Sequence, residues 1–377
     1  MTAVSISGSG FEGGDNCNVI TRDRSGNVYV ALYKTSDKTI RIYQSTDDGA
    51  TWSDIKTISN GGIGSKKGFC INNDCEGCIY FAYNYWTGSA HKVRYDVYNG
   101  TSWSTNANEI SLTSAPGDGG ISINKNSDGD IYITCLDSST WHLYKQTGGI
   151  GAFSSVSNWN AAAITASGVD TVLGANDDLY IVTLKRIAIG KNAIQHRVWD
   201  GASMTIDSDI IDGVTEWASD NLPPFSLCTN VDRSFVNMCY FGTSSGDIFW
   251  ITRSGGSWSA AVAITLNLRH RPGMATLDDD SNIIVYGNTA TDTVIYGKTR
   301  SATTTSPEFT VDTGLPNNQY MVTYLEMSDC MYAGDLIGVV FNGISVDNPY
   351  FIKNGSYQTM FDSPPPRAAS NLLLLTN

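Results

Sequence analysis

Apolar and polar positions alternate along most of this chain in short runs, and each run is closed by a cluster of Asp, Asn, Gly or Ser. Alternation with a period of two reads as β-strand, and the polar clusters read as tight turns. The runs assemble into a longer unit: a strand, an Asx- and Gly-rich turn, a strand with Ile or Val beside Tyr, a variable loop, an aromatic strand, a second turn and a last strand. The first turn with its following strand recurs as DRSGNVYVALY, NDCEGCIYFAY, NSDGDIYITCL, ANDDLYIVTL, VDRSFVNMCYF, DDDSNIIVYG and AGDLIGVVFNG. The third strand with its turn recurs as RIYQSTDDGATWS, VRYDVYNGTSWS, WHLYKQTGGIGAFS, HRVWDGASM, IFWITRSGGSWS, VIYGKTRSATTT and YFIKNGSY. With Tyr29, Tyr80, Tyr132, Tyr180, Cys239, Val285 and Val339 taken as equivalent, the unit repeats about every 52 residues, which suits four strands and their turns. Seven units are expected. Six is the alternative, because the seventh is the most degenerate.

The two ends of the chain break the pattern. Ala3–Ser7 reads like a fourth strand such as DIKTIS or AAVAIT, and is expected to complete the last unit beside Tyr357–Phe361, which removes an exposed sheet edge. After Phe361 the alternation stops. Residues 362–377, DSPPPRAASNLLLLTN, combine three prolines that impose an extended path with four leucines that need cover. The division is therefore a repeat domain over 1–361 and an extended arm over 362–377, which docks on its own domain or on another subunit.

One stretch carries a specific motif. Ser45-Thr46-Asp47-Asp48-Gly49-Ala50-Thr51-Trp52 reads S-x-D-x-G-x-T-W. Asp47 and Gly49 suit a tight turn, Thr51 and Trp52 open the next strand, and Trp52 can bury a large apolar face under the turn. This resembles the Asp-box, or bacterial neuraminidase repeat, of the sialidase-like β-propellers. The second and fifth units keep the Gly and the Trp, at Trp103 and Trp258. The resemblance implies an all-β, seven-bladed β-propeller of four-stranded antiparallel blades, with six blades as the alternative and the C-terminal arm added. It also implies that Asp-box turns lie away from the ligand site, which is expected at the opposite rim.

Composition narrows the partners. Charged residues are only 16% of the 377, and the net charge is −13. A negative surface repels phosphate backbones, so nucleic acid is not an expected partner. The N-terminus, MTAVSISGSG, shows neither a signal peptide nor a membrane span. Of the eight Cys, Cys17, Cys70 and Cys228 fall on expected innermost strands, Cys135 and Cys239 on second strands, and Cys75, Cys78 and Cys330 at the turns between. They read as buried, reduced thiols. The Cys75/Cys78 spacing has no second pair, so zinc is weakly supported.

At the expected ligand rim several side chains offer chemistry. Asp15, Asp118, Asp170 and Asp220 each precede a first strand, and four carboxylates around one axis suit Ca²⁺, although the pattern requires no cofactor. Lys66, Lys67, Arg269, His270 and Arg271 are cations suited to an acidic sugar. The 212–224 loop carries Glu216, Trp217 and Asp220, and Tyr85, Trp86 and Trp141 extend an aromatic platform for a sugar face. His91, His142 and His196 open third strands and are candidate proton carriers.

Two functions remain open. In the family, sialidases use three Arg, a Tyr activated by Glu and an Asp acid. This chain lacks the Arg-x-Pro motif in its first unit; Arg271-Pro272 is the nearest echo. Tyr320, Tyr324 and Glu326 alternate along one expected strand as core or channel residues would. Polysaccharide lyases with these repeats need a cation and a base, for which Lys66, Lys67, Arg269, Arg271, His91, His142 and Tyr85 are the candidates. The second function is non-catalytic. The low-charge Ser/Thr/Asn/Gly texture and the Pro/Leu-rich end resemble a bacteriophage virion protein, a tail-fibre, decoration or receptor-binding propeller. It would be anchored to other virion subunits through 362–377, contact cell-surface or acidic polysaccharide, and be made in the host cytoplasm without insertion in a membrane. A cytoplasmic or non-classically released scaffold is the alternative location. The virion reading is preferred and the glycan-degrading enzyme is the alternative.

Overall fold

The structure is a computed structural model. It describes residues 4–6, 11–13, 19–23, 25–34, 36–59, 68–74, 77–114, 120–161, 168–188, 191–206, 211–215, 225–230, 232–242, 247–265, 272–276, 280–287, 295–312, 338–342 and 349–353. Among these, helix is confined to two single 3-10 turns, Thr147–Gly149 and Ala175–Asp177, and no helix is long and apolar enough to cross a membrane. Everything else regular is antiparallel strand.

Six sheets follow one another along the chain, each with four strand positions. The third is the simplest, pairing Ile121–Lys125, Ile131–Asp137, Thr140–Gln146 and Ser154–Asn160 in sequence order. In the second, fourth and fifth sheets the fourth position is split into two short pieces that both pair with the third strand, as Trp103–Thr105 and Ile110–Leu112 both pair with His91–Tyr98. A further sheet joins Gly338–Asn342, Pro349–Lys353 and Val4–Ser5. All seven residues expected to be equivalent, Tyr29 through Val339, lie on second strands or, for Val339, on the strand that pairs with Pro349–Lys353.

The N-terminal strand joins that last sheet. Val4 pairs with Phe351 and Ser5 with Tyr350, so the strand takes the fourth position directly against the third strand. Tyr357–Phe361, Tyr320, Tyr324, Glu326 and the 362–377 arm lie outside the described residues.

The first turn of each unit works as its sequence suggests. In the first sheet the Asp23 carboxylate accepts the Ser25 and Asn27 N–H groups at 2.9 Å, and Gly26 supplies the positive φ of 88° that closes the turn. Asp74, Asn126 and Asn230 repeat the device by accepting N–H from Cys78, Asp130 and Phe235 at 2.7–2.8 Å. The Ser45–Trp52 turn is held by its own side chains. Ser45 Oγ accepts the Gly49 N–H at 2.7 Å, Asp47 accepts the Thr51 N–H at 2.8 Å and hydroxyl at 2.6 Å, and the Trp52 indole donates to the Gly49 carbonyl at 3.1 Å.

The second strands of the first and third sheets, Val28–Lys34 and Ile131–Asp137, are buried almost throughout, because both of their faces pack against neighbouring sheets. The apolar interior is correspondingly divided into seams. Leu136, Trp141 and Leu143 of the third sheet meet Val169, Leu179 and Ile181 of the fourth. Val182, Leu184 and Ile194 of the fourth meet Phe225, Leu227 and Met238 of the fifth. Innermost strands of consecutive sheets are neighbours from the first to the sixth, and the last sheet lies against Phe11–Gly13 of the first.

Every seam from the first sheet to the sixth also carries a polar tie near the innermost strands. The Asn73 amide donates to the Arg22 carbonyl, and the Asn72 amide to the Ile123 carbonyl at 2.9 Å. Asn124 donates to Thr171, the Leu227 N–H to Asp170 at 2.8 Å, and the Thr276 hydroxyl to the Thr229 carbonyl at 2.6 Å. Such bonds satisfy polar groups the seam would otherwise strand. The same seams each place a cation over an aromatic ring of the adjoining sheet: Lys56 over Trp103, Lys125 over Tyr80, Arg197 over Trp159, Arg253 over Tyr180 and Arg300 over Trp250, at 4.6–5.8 Å.

Candidate functional site

The second sheet ends, at the rim opposite the Ser45–Trp52 turn, in the hairpin Ile79–Trp86 and His91–Tyr98. Its four-residue connection closes with the Thr87 N–H on the Ala90 carbonyl at 3.1 Å and Gly88 at a φ of 94°. Strand alternation then sorts the side chains. Trp86 opposes His91 across the hairpin, and their rings lie 4.5 Å apart. On the other face Tyr85 opposes Lys92 and Tyr83 opposes Arg94.

That second face is a polar cluster on an aromatic bed. The Arg94 guanidinium lies 4.5 Å over the Tyr85 ring and 5.3 Å over the Tyr83 ring, and its Nε donates to the Tyr83 hydroxyl at 2.6 Å. The Tyr85 phenol donates to Glu109 Oε1, which is 3.7 Å from Arg94 Nη1. Lys92 Nζ donates to the Ser111 hydroxyl at 2.6 Å. Deeper in, Asp96 takes the Lys56 ammonium from the first sheet at 2.9 Å. Burial, with the Asp96 charge next, pushes the Tyr83 phenol up to about 12, so it stays protonated. Tyr83 and Asp96 are buried, while Tyr85, Lys92, Arg94 and Glu109 keep access to solvent.

The structure places the other expected residues as follows. Trp141 is a correction: it is fully buried, with its indole on the Leu184 carbonyl at 3.2 Å, so it belongs to the seam between the third and fourth sheets and offers no face to a sugar. Asp170 is a second correction. It lies within Val169–Leu173 rather than before that strand, is 1% exposed, and accepts the Leu227 N–H, so it ties two sheets together instead of facing a channel mouth. Among the described residues no group of three metal-ligating side chains converges.

His142 is half-buried and stacked on Tyr144 at 5.6 Å, with its Nδ1 buried and without a hydrogen-bond partner among the described residues. Burial lowers its pKa, and the charge of Asp137 only partly opposes this. His91 Nδ1 is buried in the same way. His196 is fully buried between Tyr180 and Trp258. Lys66, Lys67, Glu216, Trp217, Asp220, Arg269, His270, Arg271, Asp15 and Asp118 lie outside the described residues. Sequence reasoning missed Lys92, Arg94 and Glu109. Folding the 79–98 hairpin residue against residue would have found the first two, since Tyr83 and Tyr85 face them directly.

Sheets stacked face to face in a closing series, with each seam its own core, leave few folds to consider. Solved structures decide among them. An ulvan lyase of polysaccharide lyase family PL25, bound to -[GlcA(1-4)Rha3S]-, superposes with a TM-score of 0.61 at 10% identity, covering 94% of this chain and 96% of its own. The β-propeller domain of the Trilobed protease from Pyrococcus furiosus gives 0.51 at 9% identity over 90% and 95%. The fold is that of a β-propeller. A Hadza microbial sialidase has the same fold, with a TM-score of 0.53 at 12% identity over 93% of this chain and 68% of its own. No protein-family model and no curated sequence matches the chain. At such identities the likeness concerns the fold of the propeller and not its chemistry.

Proposed function

We propose that this chain is a seven-bladed, sialidase-like β-propeller that recognises a carbohydrate at the rim formed by its second-to-third-strand hairpins. Seven sheets among the described residues, closed by pairing of Val4–Ser5 with Pro349–Lys353, support the blade count. The Asp-box identity of Ser45–Trp52 agrees with the bonding of that turn. The observation that carries the reading is the end of the second blade. There the rings of Tyr85, Trp86 and His91 stand half-buried beside hydrogen-bonding side chains. Aromatic faces bury the C–H face of a sugar, and fixed polar groups around them take the hydroxyls. The printed ligand of the ulvan lyase and the activity of the sialidase are both carbohydrate-directed, which adds support by analogy.

The test is a binding panel of neutral and acidic oligosaccharides, read by calorimetry, with unsaturated uronate and reducing ends followed in the same tubes. Binding that weakens about tenfold in Trp86→Ala, with the melting curve preserved, is the expected result. Release of unsaturated or reducing ends would extend recognition to cleavage. No binding across the panel, or binding indifferent to Trp86→Ala, would overturn the reading.

A further inference from the structure

We infer that Lys92 and Arg94 form an anion subsite on the first-blade side of this hairpin, one that takes the carboxylate or sulfate group of an acidic sugar. The inference rests on the carbohydrate reading above and names its substrate class.

Charge placement is the first argument. The protein carries a net charge of −13, so an excess of positive charge gathered at one place on its surface runs against the overall balance. Lys92 has none among the described residues; its ammonium bonds only the neutral Ser111 hydroxyl. Arg94 has a carboxylate only at 3.7 Å, and that carboxylate already accepts the Tyr85 phenol. Among the described residues of the cluster, the cations Lys56, Lys92 and Arg94 face the carboxylates Asp96 and Glu109, and Lys56 is spent on Asp96 at 2.9 Å. One positive charge is left over, and it lies at the solvent-facing end.

Preorganisation is the second argument. The Arg94 guanidinium is bordered by two tyrosine rings and tied by its Nε bond to Tyr83, yet its side chain remains 30% exposed. Its Nη2 makes no hydrogen bond among the described residues, so the outer donors of the fork are free for a planar anion. Lys92 and Arg94 are two apart on one strand, so their side chains rise from the same face about 7 Å apart at the backbone. A single anionic group can be reached by both heads. Tyr85, across from Lys92, borders the two heads and fixes the Glu109 carboxylate beside them.

The probes are oligogalacturonate and a sulfated galactan oligosaccharide, each beside its neutral counterpart, methyl-esterified or desulfated. Binding is measured for the intact protein and for Lys92→Ala, Arg94→Ala and Arg94→Lys. The expected result is binding of at least one acidic probe that exceeds its neutral counterpart, falls about tenfold in Lys92→Ala and Arg94→Ala, and weakens with added salt. Whichever probe binds identifies carboxylate or sulfate as the group recognised. Lys92→Ala touches only Ser111 and an exposed surface, so it reports even where Arg94→Ala loosens Tyr83. Acidic and neutral probes bound equally, or acidic binding unchanged in Lys92→Ala and Arg94→Ala, would overturn the subsite while leaving carbohydrate recognition standing. Binding of no glycan at all would overturn both.

Discussion

Asp96 of the second blade, almost wholly buried, holds the ammonium of Lys56 from the first blade at 2.9 Å. The same ammonium covers the Trp103 ring at 5.3 Å. One cation therefore neutralises a buried carboxylate and caps an indole across a seam. Lys56→Met should remove the charge and leave Asp96 unpaired. Because Lys56 is 21% exposed, the cost should fall below that of a fully buried pair, at about 2 kcal/mol. Denaturant unfolding measures it, and Trp103 fluorescence should change with it. An unchanged midpoint would mean that solvent already compensates Asp96.

Asp47 predicts a pH response. The Thr51 hydroxyl, the Thr51 N–H and the Ser45 hydroxyl hold its pKa down to about 2. A carboxyl lowered in the folded state stabilises above its unfolded value and loses that contribution as the pH falls towards the folded value. The turn should thus hold at neutral pH and loosen between about pH 4 and pH 2. Hydrogen exchange at the Thr51 amide should quicken over that window, and Asp47→Asn should show no such window. An ordinary carboxylate titration of Asp47 would contradict the bonding described.

Trp141 and Trp86 should separate cleanly. Trp141→Ala removes a fully buried indole and its bond to Leu184, and should cost about 3–5 kcal/mol. Trp141→Phe should cost less and leave carbohydrate binding intact. Trp86→Ala should do the reverse. Paired melting and binding curves test the contrast.

The closing strand predicts a long-range effect from a short segment. Ile6 follows the pairs Val4–Phe351 and Ser5–Tyr350, and is 4% exposed within the core shared by the first and second blades. Ile6→Ala should cost about 2–4 kcal/mol. Deleting residues 1–6 should lower the melting temperature further than Ile6→Ala, since it also frees a sheet edge.

Much of the architecture could be read before any coordinates. Runs such as VYVALY and IYITCL are apolar on both faces, and both faces proved to be seams. Asp23, Asp74, Asn126 and Asn230 announce turns because their side chains can bond the backbone a few residues on. Rim chemistry was harder to read. Trp141 sits one residue into its strand, and that single step of alternation turned an expected platform into core. Asp170 misled in the same way. Glu109 was invisible because it precedes the second piece of a split fourth strand, Ile110–Leu112, whose return to His91–Tyr98 no local pattern announces.

The pairing that closes the propeller also sets how it bears load. Val4 and Lys353 leave their shared sheet from the same end, like the two open ends of a hairpin. A force applied between them would therefore peel the ladder one pair at a time instead of shearing several bonds together. Pulled from that end, the clasp gives way in sequence, while each blade behind it keeps its own hydrogen-bond ladder.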